Sequence, residues 1–88
     1  MKIRIGSAKM TQDTATGSVA QVQFEVEGHP KGYEITLYSK DGKEWDYGLH
    51  FSGESGKEED ISAVEALLEE DDDTFEQLVN AALHGQRN

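Results

Sequence analysis

Five side chains able to do acid–base chemistry fall on what reads as one solvent-facing strand surface. They are Glu25, Glu34, Tyr38, Asp46 and His50. A carboxylate beside an imidazole can pass a proton, and histidine titrates nearest neutral pH. A groove lined by these five could bind a small ligand, with His50 as its titratable group. The plainer reading is a solvated strand face. No nucleophile stands at a readable spacing from a base and an orienting group. No catalytic residue is therefore assigned, and the sequence does not read as an enzyme.

The second group is acidic: Glu65, Glu69, Glu70, Asp71, Asp72 and Asp73. The chain carries 8 Lys plus Arg against 18 Asp plus Glu, a net charge of −10. Residues 1–53 hold six cations and seven acids, whereas residues 54–88 hold two cations and eleven acids. Between Glu58 and Gln86 there is no Lys or Arg. Glu65 and Glu69, four apart on a helix, repel by a few tenths of a kcal/mol, and the usual intrahelical ion pairs cannot form. Such a ridge fits docking onto a basic protein, and it can imitate the phosphates of nucleic acid. Solubility alone explains it as simply.

Other motifs dissolve on inspection. Ser52-Gly53-Glu54-Ser55-Gly56-Lys57 lies between a strand and a helix, but Phe51 stands where a phosphate loop needs its first Gly, and Glu58 follows the Lys. Counted from Asp71, the sixth and twelfth positions of a calcium loop would be Glu76 and Ala82, neither of them suitable. His29, His50 and His84 show no metal-binding spacing. The absence of Cys excludes disulfides and thiolate metal sites. No cofactor and no metal site is expected. A chain this acidic is a poor nucleic-acid binder, and no apolar run approaches a transmembrane span. With no signal peptide visible after Met1-Lys2-Ile3, the cytoplasm is the default location.

The elements that must position these groups are legible from periodicity. Val22, Phe24 and Val26 alternate with polar residues, as do Tyr33, Ile35 and Leu37, and then Trp45, Tyr47, Leu49 and Phe51. Each run predicts a strand with one buried and one wet face. Ile3 and Ile5 predict a short first strand, with residues 7–18 a loop. A four-residue turn, 28–31, would pair Val26 with Tyr33, Phe24 with Ile35 and Val22 with Leu37. A three-residue turn, Lys40-Asp41-Gly42, with Gly42 left-handed, would pair Leu37 with Trp45, Ile35 with Tyr47 and Tyr33 with Leu49. In that register Glu25 faces Glu34, Thr36 faces Asp46, and Gly48 leaves a gap between Glu34 and His50.

Beyond residue 54 the period becomes helical. Ser55 with Glu58 fits a capping box, Asp60 being a rival cap. Ile61, Val64, Leu67 and Leu68 form one stripe. Asp73 with Glu76 predicts the cap of a second helix, whose stripe is Phe75, Leu78, Val79, Ala82 and Leu83. His84 is expected to serve its own helix C-terminus, and Gly85 to stop the helix.

The expected fold is α+β: a four-stranded antiparallel meander whose one apolar face is covered by two short C-terminal helices. A curled sheet tending toward a small barrel is the runner-up. The expected organisation is a single domain, with the sheet in about 1–53, the acidic helical part in about 55–85 and a frayed tail at 86–88. The functional expectation is a small acidic interaction or inhibitor module acting through its helices. The alternative is a small-ligand binder at the sheet face around His50. Self-association through a sheet edge is a third class, opposed by Lys2, Arg4 and Lys9, which blunt the first strand's edge. The expected state is a monomer or weak dimer.

Overall fold

The computed structural model describes residues 2–13, 17–41 and 43–85. Four strands, β1 (Ile3–Asp13), β2 (Gly17–Val26), β3 (Tyr33–Ser39) and β4 (Asp46–Phe51), precede two helices, α1 (Glu58–Glu70) and α2 (Asp72–Gly85). The strands form one antiparallel sheet in the order β1-β2-β3-β4. Both helices pack on its apolar face, α2 over β1 and β2 and α1 by β4. This is the α+β meander that the alternation predicts. The core comprises Ala20, Val22, Phe24, Val26, Tyr33, Ile35 and Leu37 from the sheet, with Val64, Leu68, Leu78 and Ala82 from the helices.

The first hairpin is longer than its sequence suggests. Instead of a loop over 7–18, β1 runs to Asp13 and β2 begins at Gly17. The cause is a bulge: Ile5 pairs with Phe24 but Ser7 pairs with Gln23, so Gly6 is an extra residue. The bulge switches parity. Ile3 and Ile5 before it, and Ala8 and Met10 after it, therefore all pack on the core. Gly17 takes a φ of 96°, and a Cβ there would collide with the Ser39 carbonyl oxygen.

Both other hairpins keep the expected faces but shift by two residues. Phe24 pairs with Tyr33, Val22 with Ile35 and Ala20 with Leu37. Across the next ladder Tyr33 pairs with Phe51, Ile35 with Leu49 and Leu37 with Tyr47. The expected pairs Val26–Tyr33 and Leu37–Trp45 do not form, and Trp45 precedes β4. Burial parity cannot separate registers that differ by two. Aromatic stacking does: Tyr33 stacks on Phe24 at 5.7 Å and on Phe51 at 5.4 Å, contacts typically contributing about 0.5–1.5 kcal/mol beyond burial. The end of β2 stays with β1, through Ile3–Val26 pairing and a Glu27 N–H bond to the Lys2 carbonyl. The β2–β3 link is correspondingly wider, turning at Gly28 (φ 88°). In the β3–β4 link Asp41 Oδ1 accepts the backbone N–H groups of Lys43 (2.9 Å) and Glu44 (3.1 Å). That arrangement replaces the tight turn; Gly42, and the tail 86–88, lie outside the described residues.

Two cap assignments change. The N-cap of α1 is Lys57, without a side-chain cap bond, so neither Ser55 nor Asp60 caps it. The cap of α2 is Asp71 and not Asp73. Asp71 Oδ1 accepts the N–H of Asp73 (3.1 Å) and of Thr74 (3.4 Å), and Oδ2 accepts the Thr74 hydroxyl (3.1 Å). The Asp71 N–H meanwhile bonds the Leu67 carbonyl (2.8 Å), closing α1. One residue thus ends one helix and starts the next, which makes two helices of what could have been one bent helix. His84 Nδ1 lies 2.7 Å from the Asn80 carbonyl oxygen, in its own last turn as expected. Leu83 departs from its stripe: it is 41% exposed, whereas Leu78 and Ala82 are fully buried.

Candidate functional site

The register decides what meets on the wet face of the sheet. Glu34 pairs with Gln23 on one side and His50 on the other. The expected repulsion between Glu25 and Glu34 is absent from the ladder, and no gap separates Glu34 from His50. The His50 Nε2 lies 3.0 Å from Glu34 Oε1, and Gln23 Nε2 donates to Glu34 Oε2 at 3.1 Å. Ser7 Oγ donates to Gln23 Oε1 at 3.2 Å. Ser7, Gln23, Glu34 and His50 therefore form a hydrogen-bonded chain crossing all four strands.

Glu34 is the acceptor on which this chain converges. The Gln23 bond, then the His50 bond, hold its carboxyl below the usual range, helped by the charges of His50 and Lys9 and opposed by burial. A carboxylate in contact with an imidazole can exchange a proton with it. Gln23 and Ser7 were not among the residues singled out from the sequence. The available signal was Gln23 alone, two positions from Glu25 and so on the same strand face.

The other expected members stand apart. Tyr38 pairs with Asp46, four residues along β3 from Glu34, or about 13 Å at strand rise. Both line a shallow hollow of ≈ 280 Å³ with Ser39, Lys40, Asp41 and Glu44. Thr36 pairs with Gly48 and not with Asp46. Glu25 lies beyond the β2–β3 pairing, opposite Arg4, beside a hollow of ≈ 270 Å³ that Lys2 and Glu27 also line. The five residues thus fall into three separate places, and only Glu34 and His50 make a direct contact.

The acidic group is more coherent. Glu65, Glu69, Glu70, Asp72 and Asp73 are all exposed. Asp71 is the exception, half-buried and engaged in capping. Glu69 and Glu65 act on the phenol of Tyr47 on β4. Burial first, and then their negative charges with a hydrogen bond to Glu69, push the Tyr47 phenol up. The Tyr47 ring in turn lies 5.6 Å from that of Phe75 on α2. Sheet, α1 and α2 meet at this point.

Among the described residues no three carboxylate or imidazole groups converge to hold a metal ion. No helix among them is long and apolar enough to cross a membrane. Comparison of the chain with protein-family models, with curated proteins and with solved structures gave no match.

Proposed function

We propose that this chain is an interaction module that binds a basic protein through the acidic face of α1 and the start of α2. The observation that carries this reading is charge segregation. Exposed carboxylates run from Glu58 and Glu59 through Glu65, Glu69 and Glu70 to Asp72, Asp73 and Glu76, with no Lys or Arg between residues 58 and 85. Most cations lie elsewhere, Lys2, Arg4 and Lys9 on or beside β1 and Lys31 paired with Glu54 at 3.0 Å, whereas Lys57 at the N-cap of α1 and Lys43 in the β3–β4 link flank the acidic run. Like charges crowded without counter-ions cost a little stability. A cationic partner would remove that cost and be steered toward the face.

The test is affinity capture from native lysate at about 0.1 M and about 0.5 M salt, over which screening shortens from ~10 Å toward ~4 Å. A basic protein retained at low salt, lost at high salt and lost from Glu65→Lys/Glu69→Lys/Asp72→Lys is the expected outcome. A specific partner that survives these reversals refutes the reading. A second reading rests on the 3.0 Å Glu34–His50 contact: a small ligand held on the wet sheet face. It predicts ligand-induced NMR shifts at Gln23 and Glu34 that His50→Ala abolishes, and shifts that persist unchanged in that variant refute it.

A further inference from the structure

The acidic face borders an open groove in which Trp45, Phe75 and Val79 alternate with polar side chains. Its walls are Trp45 and Lys43 from the β3–β4 link and Phe75, Glu76, Val79 and Asn80 from α2, enclosing ≈ 510 Å³. Clefts that hold ligands span about 300–1,000 Å³. The groove exists because α2 has two apolar rows. Leu78 and Ala82 are spent on the core, fully buried. Phe75 and Val79, partly packed on the core, line the groove, and Leu83, four residues further on, continues their row beyond its lining. Phe75 and Val79 are half-buried, and Leu83 is 41% exposed.

The groove and the acids are continuous. Phe75 touches Tyr47 at 5.6 Å, and Tyr47 feels the charges of Glu65 and Glu69. Asp72 stands one turn before Phe75 and Glu76 on the same helix, and is exposed. One end of the groove is therefore strongly negative, while Lys43 marks the opposite wall. We infer that this groove seats a basic amphipathic helix of the partner. Its apolar residues lie against Trp45, Phe75, Val79 and Leu83, and its Lys or Arg residues point toward Glu65, Glu69 and Asp72. The inference rests on the acidic-face reading and adds to it the apolar anchor and the conformation of the ligand. A helix is favoured because the row it must match runs along a helix, at helical spacing. A second copy of the chain is disfavoured, since it would bring two acidic faces together.

The experiment uses the full chain and two synthetic helical peptides of equal length and charge. One carries Leu at helical spacing among Lys; in the other Ser replaces each Leu. Trp45 is the only tryptophan, so its emission reports the groove directly. The Leu/Lys peptide is expected to shift Trp45 emission to the blue and to bind at least tenfold more tightly than the Ser/Lys peptide. Leu83→Gln, at an exposed position, should remove most of that advantage, and Lys43→Glu should increase affinity for both peptides. Glu65→Lys/Glu69→Lys should weaken both peptides alike. Equal binding of the two peptides with Trp45 unmoved overturns the groove and leaves the acidic-face reading standing. Failure of both peptides to bind overturns both. Tighter Leu/Lys binding that ignores Leu83→Gln places the anchor elsewhere and also overturns the groove. So does a dimer in sedimentation that Leu83→Gln dissociates, because the occupant would then be a second copy.

Discussion

Replacing Asp71 by Ala tests the helix junction and separates stability from docking within the acidic run. The side chain holds two backbone N–H groups of α2 and the Thr74 hydroxyl. Loss of an N-cap costs about 0.5–2 kcal/mol. Thr74 is only 9% exposed, so its hydroxyl loses its partner where water has little access, which adds up to ~1 kcal/mol. We expect about 2 kcal/mol in all, a large share of the ~5–15 kcal/mol that holds a small domain together. The melting temperature should drop by about 8–16 °C. Urea denaturation followed by circular dichroism reads this as a lower midpoint at constant slope. Asp71→Asn, which caps as well as Asp, should recover most of the loss. Asp72→Ala and Asp73→Ala, whose carboxylates make no cap bond, should each cost no more than about 0.5 kcal/mol. If Asp73→Ala proves as costly as Asp71→Ala, the reasoning about this junction is wrong. It follows that Asp71 is a poor reporter of partner binding, and reversals belong at Glu65, Glu69 and Asp72.

Two further outcomes follow from burial and from titration. Leu78→Ala, at a site with no exposure, should cost about 2–5 kcal/mol and either unfold the protein or lower its urea midpoint steeply. The folded-state Glu34 carboxyl lies below its ordinary value, so its contribution is complete above about pH 4.3, the unfolded value, and is lost as pH falls through the folded value. Urea midpoints measured from neutral pH down to about pH 3 should converge between wild type and Glu34→Gln in that acid range, and curves that stay parallel would refute the linkage.

The faces of the elements were legible from the sequence, and their offsets were not. Val22, Phe24, Ile35 and Leu37 announce a buried face by alternation alone, and any register shifted by two preserves it. What chose the register was the Phe24–Tyr33–Phe51 stack on one face and the Gln23–Glu34–His50 bonds on the other. Both are pairings between strands, invisible to a scan along one strand. Residues 7–13 read as loop because Gly6 inverts the parity of Ala8 and Met10 relative to Ile3 and Ile5. A polar edge strand crossing a bulge carries no single period. The helix stripes were correct in phase, yet Leu83 stayed outside at 41% exposure, although Phe75 and Val79 of the same row pack partly buried against the core. Of the site, the acidic face followed from composition, whereas the Glu34–His50 contact needed a register that alternation cannot supply.

The packing of α2 on β1 joins the last element to the first. During synthesis, the row Ile3, Ile5, Ala8 and Met10 is therefore made long before its cover. About 70 residues separate the end of β1 from the end of α2, some 4–14 s at ~5–20 residues per second. The hairpins can zip locally in microseconds, so once β4 ends at Phe51, for roughly the last half of that interval, the nascent chain is a finished sheet with one bare apolar side. The crowding of carboxylates in α1, which emerges next, puts a strongly negative segment beside that bare side while the final helix is still being made. Mutual repulsion between neighbouring nascent chains then protects the sheet from sticking to its like before α2 arrives.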